Sequence, residues 1–159
     1  MQFKKCDETP LGLYPVVDSA AWVEKLLPLG MSTIQLRIKN KNLSEIVSEI
    51  KKSKVIAEQH QARLFINDYW QLAIEEGVYG VHLGQEDLDE ANLSAIHAAG
   101  LCLGVSTHSL TEIKRALGIQ PSYLAFGPVF PTSSKPMAFV PQGIAKLQEW
   151  AQALDYPLV

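Results

Sequence analysis

The sequence lacks the features that mark membrane, secreted and nucleic-acid-binding proteins. Its 159 residues carry a formal net charge of -3, so no broad positive field attracts a polyanion. The longest apolar runs, such as 11–17 and 123–126, are far shorter than the roughly 20 residues that a bilayer span needs. Residues 1–10 contain charges of both signs and no apolar signal core. We therefore expect a cytoplasmic protein that binds neither nucleic acid nor membrane.

Several signatures of common catalytic sites are also missing. Cys6 and Cys102 are the only 2 cysteines, and their wide separation predicts two free thiols rather than a metal site. None of the 4 histidines has metal-ligand spacing or pairs convincingly with a nucleophile along the chain. No GxGxxG motif follows the first predicted strand, which disfavours a dinucleotide-binding sheet.

The composition and patterning that are present indicate one α/β domain spanning residues 1–159. With 47% hydrophobic and 19% charged residues, the chain is an ordinary globular domain. Short β-rich runs alternate with longer amphipathic runs, which is typical of βα units around a parallel sheet. Strands are predicted at 13–17, 33–38, 63–66, 80–83, 102–106 and 123–126, and helices at 20–29, 44–61, 69–76, 88–99, 109–117 and 143–154.

Local signals support these boundaries. Ser44 can cap the start of the second helix, and Gly30, Gly77 and Gly100 can each end a helix before a strand. Residues 156–159 follow the sixth helix and are typical of the start of a seventh strand. Periodicity leaves two arrangements open, a doubly wound open sheet and an incomplete barrel.

Polar side chains collect where the predicted strands end, and parallel α/β folds bind their ligands at that edge. The period of two in the second strand places Gln35, Arg37 and Lys39 on one face. Later strands lead into further polar residues: Asn67, Asp68, His82, Gln85, Glu86, Asp87, Ser106, His108, Thr132, Ser134 and Lys135. This clustering predicts a single active site.

Structural explanations compete with several of these assignments. The polar face of the second strand is also expected for an exposed edge strand. Asn67 with Asp68, and Asp87 with its neighbour, can cap the helices that follow them. His82 is expected to be a buried histidine with satisfied hydrogen bonds. Trp22, Trp70 and Trp150 are expected to be packing residues on helices.

The charges suit a metal-bridged polyphosphate. Arg37, Lys39 and Lys135 supply positive charge, and Asp68 and Asp87 supply two carboxylates. Mg²⁺ is commonly held by one or two carboxylates together with substrate phosphates. Since no activated protein nucleophile is evident, we expect substitution at carbon with diphosphate as the leaving group.

Six ordered motifs resemble the thiamin phosphate synthase family. They are LYPVVD at 13–18, QLRIK at 35–39, FIND at 65–68, HLGQED at 82–87, GVSTH at 104–108 and GPVFPT at 127–132, followed by Ser134 and Lys135. The resemblance implies a (β/α)₈ TIM barrel, of which this chain holds about six units and the start of strand seven. It also implies a Mg²⁺-dependent transferase that joins 4-amino-2-methyl-5-(diphosphomethyl)pyrimidine to 4-methyl-5-(2-phosphoethyl)thiazole and releases diphosphate.

The same resemblance implies a role for each matched residue. It assigns the pyrimidine diphosphate to Gln35, Arg37, Lys39, Asn67 and Lys135. It assigns Mg²⁺ to Asp68 and Asp87, and the thiazole phosphate to Thr132 and Ser134. Ser106 and Lys135 are implied to act near the reacting groups. The chain departs from the family pattern at Ser134, where a threonine is usual, and it ends before the phosphate-binding loops expected after strands seven and eight.

Two other functions stay open at this stage. A related thiazole tautomerase would share the scaffold, but Gln35, Arg37, Lys39, Asn67 and Asp87 argue for the synthase. An inactive truncated remnant would keep the Mg²⁺ and diphosphate half-site alone. An unclosed barrel would also expose the edges of its first and sixth strands, from which we expect homo-oligomers.

Overall fold

The computed structural model describes residues 1–6, 10–132 and 139–159. Six strands form one sheet in which all neighbours are parallel. They are β1 (Val16–Val17), β2 (Thr33–Leu36), β3 (Arg63–Asn67), β4 (Gly80–Leu83), β5 (Cys102–Thr107) and β6 (Tyr123–Phe126). The helices are α1 (Ala20–Leu26), α2 (Leu43–Gln59), α3 (Trp70–Glu76), α4 (Asp87–Glu90), α5 (Leu93–Ala98), α6 (Leu110–Ile119) and α7 (Gly143–Ala153), and a 3₁₀ turn (Leu27–Leu29) extends α1.

The order of the strands in the sheet excludes the doubly wound arrangement. The strands lie side by side in chain order, from β1 to β6, without a reversal. A doubly wound sheet reverses its strand order near the middle, and that reversal places helices on both faces. Because parallel crossovers are right-handed, an unreversed order brings every crossover to the same side. The chain therefore forms a parallel six-stranded half-barrel.

Two apolar layers follow from the alternation of side chains along each strand. One set of strand residues, including Ile34, Leu64 and Val81, joins the large cluster shared with the helices. The opposite set forms a smaller cluster around Phe65, Cys102 and Tyr123 on the inner face of the sheet. Tyr14 and Tyr79 pack against this inner cluster, so aromatic side chains form much of it.

The amino-terminal segment covers the inner face at the amino ends of the strands. Phe3 is buried, and its backbone N–H donates to the carbonyl of Gln120 at 3.0 Å. The Ser122 hydroxyl donates to the carbonyl of Lys4 at 2.6 Å, and Nη2 of Arg63 donates to the carbonyl of Pro10 at 2.7 Å. These contacts leave the carboxyl ends of the strands as the open side of the sheet.

Residues 157–159 continue the sheet beyond β6. Backbone N–H groups of Leu124 and Phe126 donate to the carbonyls of Pro157 and Val159 at 2.9 and 2.8 Å, and Leu124 forms a parallel bridge with Leu158. The expected start of a seventh strand is confirmed. The expectation that β6 has an exposed edge is wrong, because this segment covers it.

Two local predictions were also wrong. Asn42, not Ser44, caps α2: its side chain accepts from Glu45 N at 3.0 Å, while the Glu45 carboxylate accepts from Asn42 N at 3.0 Å. The helix predicted at 88–99 is two helices, because the backbone is extended at Ala91 and Asn92 caps α5. The left-handed glycines at the predicted helix ends are confirmed, with φ of 89° at Gly30, 60° at Gly77 and 70° at Gly100.

No helix in the described ranges is both long enough and apolar enough to cross a membrane. Neither Cys6 nor Cys102 forms a disulfide in the part of the chain that the structure describes, as predicted, and both lie in the same inner cluster.

Candidate active site

An open cavity of about 1280 Å³ lies at the carboxyl ends of the strands. It brings together seven of the residues proposed from sequence: Gln35, Arg37, Lys39, Asn67, Asp68, Asp87 and Ser106. Thr132 is exposed and does not line this cavity. Ser134 and Lys135 lie outside the described residues. The predicted clustering is confirmed for the residues that follow β2 to β5.

The second strand supplies one wall of the cavity. Because β2 pairs with β1 on one side and β3 on the other, its polar face is not that of an edge strand. Gln35 is only 5% exposed, whereas Arg37 is half-buried and Lys39 is exposed. Amide and cationic groups are thus arranged in order of increasing exposure from the floor of the cavity to its mouth.

Asp68 is held between two neighbours. Its Oδ2 lies 2.7 Å from Nζ of Lys39, and its Oδ1 accepts from Nδ2 of Asn67. Its backbone has a φ of 65°, and its N–H donates to the carbonyl of His82 at 3.0 Å. A non-glycine residue in the left-handed region is uncommon, and such residues cluster at functional sites. Asp68 does not cap α3, which begins after Tyr69 without a side-chain cap.

Asp87 is the first residue of α4, which has no side-chain cap, and it also lines the cavity. Its Oδ2 accepts from the backbone N–H of Gly84 at 3.0 Å, and the residue lines the same cavity as Asp68. No group of three or more His, Cys, Asp or Glu side chains in residues 1–6, 10–132 and 139–159 forms a protein cage for a metal. Asp68 follows β3 and Asp87 follows β4, and two carboxylates are the kind of donor set that Mg²⁺ uses when water and substrate phosphates complete its ligands.

Ser106 and His82 are in direct contact, which the sequence analysis did not expect. Nε2 of His82 lies 2.8 Å from Oγ of Ser106, and Nδ1 lies 2.8 Å from the hydroxyl of Tyr123. The expectation that no histidine pairs with a nucleophile is therefore wrong for His82. Nδ1 contacts a phenol at 2.8 Å rather than a carboxylate, so this arrangement differs from a Ser-His-Asp triad. The burial expected for His82 is confirmed, at 7% exposure.

Two tyrosines on the floor were missed. The hydroxyls of Tyr14 and Tyr123 lie 2.8 Å apart, and Nε2 of Gln35 donates to Tyr14 at 3.4 Å. Burial raises the pKa of both tyrosines well above the ordinary value, so both hydroxyls stay protonated. A signal existed at Tyr123, because a buried phenol in an apolar strand requires a hydrogen-bond partner.

The rim contains a histidine and an aromatic residue to which sequence assigned no role. Nδ1 of His108 lies 2.9 Å from Oε2 of Glu112, and the imidazole stacks on Phe139 with ring centroids 4.7 Å apart. Trp22 lines the cavity and is 48% exposed, so its assignment as a packing residue is wrong. Trp70 and Trp150 pack against the main core as expected.

A family model for thiamine monophosphate synthase matches residues 13–159. The chain belongs to the thiamine monophosphate synthase family. The motifs on which the resemblance rested are therefore those of a family member. Residues from several of these motifs line the cavity.

Several bacterial relatives of this family member carry the name thiamine-phosphate synthase. A relative from Salmonella agona is 57% identical over 150 residues, which cover 94% of the chain and 71% of the relative. Relatives from Proteus mirabilis and Serratia proteamaculans are 54% and 53% identical over 96% and 94% of the chain, again covering 71% of their own lengths.

Solved structures support the fold of this family member. A thiamine phosphate pyrophosphorylase from Pyrococcus furiosus matches with a TM-score of 0.79 and 28% identity, over 93% of the chain and 73% of that structure. An N-acetylneuraminic acid synthetase from Leptospira borgpetersenii matches with a TM-score of 0.65 at 15% identity, over 94% of the chain and 64% of that structure. The second likeness concerns the fold alone.

Proposed function

We propose that this chain carries the active site of a thiamin phosphate synthase. The reaction joins 4-amino-2-methyl-5-(diphosphomethyl)pyrimidine to 4-methyl-5-(2-phosphoethyl)thiazole and releases diphosphate. The observation that carries the proposal is the meeting of Arg37 and Lys39 with Asp68 and Asp87 in one cavity. The relatives named thiamine-phosphate synthase support the same reaction.

In this proposal the pyrimidine diphosphate occupies the cavity above β2 and β3. Arg37 and Lys39 neutralise the outer oxygens of the diphosphate, and Lys135 adds a third cation. Asp68 and Asp87 would hold Mg²⁺, which would supply further positive charge to the diphosphate. Negative charge on the departing diphosphate is then balanced where it develops, and this is the most effective place for electrostatic stabilisation.

The bond that forms does not require a protein nucleophile. The carbon–oxygen bond to diphosphate breaks first, which releases diphosphate and leaves a pyrimidine methylene cation, and the lone pair of the thiazole nitrogen then forms the new bond to that carbon. In the proposal, Gln35 and Asn67 contact the pyrimidine diphosphate, Ser106 and Lys135 act near the reacting carbon, and Thr132 and Ser134 contact the thiazole phosphate. A thiazole tautomerase is disfavoured, because it has no use for the cations and carboxylates that converge here.

We also propose the surroundings of this site. The half-barrel is the greater part of a (β/α)₈ barrel, in keeping with the parallel strands in chain order, and the protein works in the cytoplasm. A further part of the proposal is that chains associate through the free edge of β1 and the segment 157–159, since unpaired edges invite strand pairing. A concentration-independent monomer in sedimentation velocity would contradict that association.

Isothermal titration calorimetry tests the diphosphate half of the site. Inorganic diphosphate should bind in the presence of Mg²⁺, and Asp87→Asn should weaken that binding at least tenfold. Asp89→Asn is a matched control on the same helix, because Asp89 pairs with Arg115 at 2.5 Å and does not line the cavity. Equal Mg²⁺ dependence in the wild type and Asp87→Asn would contradict the metal assignment.

A direct assay tests the reaction itself. Both substrates are incubated with the protein and Mg²⁺, and thiamin phosphate and diphosphate are measured in equal amounts. Failure to form thiamin phosphate, together with retained Mg²⁺-dependent binding of diphosphate, would favour the inactive remnant over the enzyme.

A further inference from the structure

Four hydrogen bonds among five side chains connect the two sides of the cavity floor. The contacts run from Nε2 of Gln35 to Oη of Tyr14 (3.4 Å), from there to Oη of Tyr123 (2.8 Å), on to Nδ1 of His82 (2.8 Å), and from Nε2 of His82 to Oγ of Ser106 (2.8 Å). The two ends lie on β2 and β5, three strands apart in the sheet. We propose that this chain of hydrogen bonds makes Tyr14, Tyr123 and His82 positioning residues that set the donor and acceptor pattern presented by Gln35 and Ser106.

Because each group in this chain of hydrogen bonds donates on one side and accepts on the other, all four hydrogen bonds must point the same way. A tyrosine hydroxyl in such a chain accepts one hydrogen bond and donates its single proton to the next group, and a neutral imidazole donates from one nitrogen and accepts at the other. With Nε2 of Gln35 donating, Tyr14 donates to Tyr123 and Tyr123 donates to Nδ1 of His82. The proton of His82 is then on Nε2 and points to Ser106.

That direction determines what a ligand meets at each end. Oγ of Ser106 accepts from His82, so its own proton is directed to the cavity as a donor. Gln35 uses an amide N–H on Tyr14, which leaves Oε1 as an acceptor. Turning the Gln35 amide over would reverse every link and exchange the two functions. The chain therefore couples an acceptor on β2 to a donor on β5.

Burial and packing hold the links in place. Tyr123 is fully buried and Gln35 is 5% exposed, so water has little access to interrupt the chain from the floor. The ring of Tyr123 lies over the backbone of Gly104, where an added Cβ would overlap the ring carbons and the hydroxyl. Burial raises the pKa of Tyr123 and keeps it a neutral donor.

The inference deepens the proposed function and rests on it for the identity of the ligand. An acceptor at Gln35 and a donor at Ser106 favour a ring with an amino group and a ring nitrogen acceptor. An aminopyrimidine presents that pattern, whereas a 4-oxopyrimidine replaces the amino donor with an acceptor. The chain would thus contribute to selection for the amino ring.

The first test measures the direction of the hydrogen bonds themselves and needs no substrate. In ¹⁵N-labelled protein, the His82 ring should be the neutral tautomer with its proton on Nε2. Tyr123→Phe removes the donor to Nδ1, so the Nδ1-protonated tautomer should gain population at least tenfold. Tyr14→Phe, which breaks the preceding link, gives a second variant if Tyr123→Phe does not fold. A ring protonated on Nδ1 in the wild type would overturn the inference.

The second test reads selectivity by calorimetry with Mg²⁺ present. The wild type should prefer the 4-amino pyrimidine diphosphate over its 4-oxo analogue, and Tyr123→Phe should reduce that preference roughly tenfold, the value of one lost hydrogen bond of ordinary strength. Affinity for inorganic diphosphate should not change. Tyr79→Phe is the control, because Tyr79 belongs to the same inner cluster but is not one of the five side chains in the chain of hydrogen bonds.

The two possible failures are distinguishable. If the wild type binds neither pyrimidine compound, the proposed function fails. The tautomer measurement still shows whether the chain of hydrogen bonds has the proposed direction. If the wild type prefers the amino compound and Tyr123→Phe keeps that preference in full, the chain has no role in selectivity and the inference is overturned.

Discussion

Nζ of Lys39 lies 2.7 Å from Oδ2 of Asp68, which pairs the cation after β2 with the carboxylate after β3. Both side chains are partly exposed, at 47% and 25%, so the pair contributes little to the stability of the fold. The same carboxylate is a proposed ligand of Mg²⁺. Lys39 and the metal are therefore expected to compete for Asp68. We expect this competition to end when diphosphate binds, because Lys39 then pairs with a phosphate oxygen instead.

The first prediction separates these roles by replacing the cation. Lys39→Met should change the free energy of unfolding by less than about 0.5 kcal/mol, because an exposed pair is lost. It should raise the affinity for Mg²⁺ alone several-fold and lower the affinity for diphosphate with Mg²⁺ by about tenfold. Calorimetry and urea denaturation measure the three quantities. Lys146→Met, at a surface pair with Glu149, should alter neither affinity. Weaker Mg²⁺ binding in Lys39→Met would contradict the competition.

A second prediction concerns the close approach of Tyr123 to the backbone of β5. Gly104→Ala should destabilise the protein by about 2 kcal/mol or more, because the new Cβ would overlap the buried ring of Tyr123. Gly118→Ala in α6 is the control: nothing lies within 4 Å of its added Cβ, and alanine favours a helix by up to about 1 kcal/mol. Chemical denaturation compares the two. Equal stability of the variants would refute the packing argument.

A third prediction concerns Glu49, which stabilises the start of α1 from a neighbouring helix. Its Oε2 accepts from the backbone N–H of Ala20 at 2.6 Å, and Lys41 contacts Oε1 at 3.1 Å. The hydrogen bond from Ala20 is the main cause that lowers the pKa of this carboxyl in the folded protein. A lowered folded pKa means that the stabilisation is complete above the ordinary pKa and is lost as the pH falls through the folded value.

The corresponding variant is Glu49→Gln. At pH 7 it should be less stable than the wild type by about 1 kcal/mol, since a charged acceptor at a helix start becomes neutral. The difference should shrink as the pH falls below the ordinary range for glutamate. Denaturation curves at a series of pH values measure it. Glu24→Gln, at an exposed position of α1, should cost less than about 0.5 kcal/mol at pH 7. A difference that grew with acidity would have the wrong sign.

A fourth prediction distinguishes the observed cap of α2 from the expected one. Asn42→Ala removes the side chain that accepts from Glu45 N, and it should cost about 1 kcal/mol. Ser44→Ala removes only a hydroxyl that donates to the Asn42 side chain at 2.7 Å, and it should cost a few tenths of a kcal/mol. Thermal denaturation of both variants measures the ranking. The reverse order would restore Ser44 as the cap.

The sequence by itself determined which residues can meet at the cavity wall. The period of two in a strand is local, so Gln35, Arg37 and Lys39 could be assigned to one face without knowledge of any neighbour. Asn67 and Asp68 could likewise be assigned to a strand end. The family motifs were enough to predict the reaction, because their residue types and their order can be seen in the sequence itself.

Local sequence was a weaker guide where two residues offered the same chemistry. Asn42 and Ser44 can both cap a helix, and the choice depended on the backbone, which is extended at Asn42. The break between α4 and α5 depended on the extended backbone at Ala91, in a segment whose apolar pattern also suits one helix.

Only the tertiary structure decided the floor of the site. Tyr14 and Tyr123 are 109 residues apart in sequence, and their contact exists because parallel register brings successive strands around the curved sheet. The partners of His82 were fixed in the same way, since Tyr123 and Ser106 lie on other strands. Hydrogen bonds between distant strands depend on register and curvature, which no short stretch of sequence encodes. The competition of Lys39 and Mg²⁺ for Asp68 has the same origin.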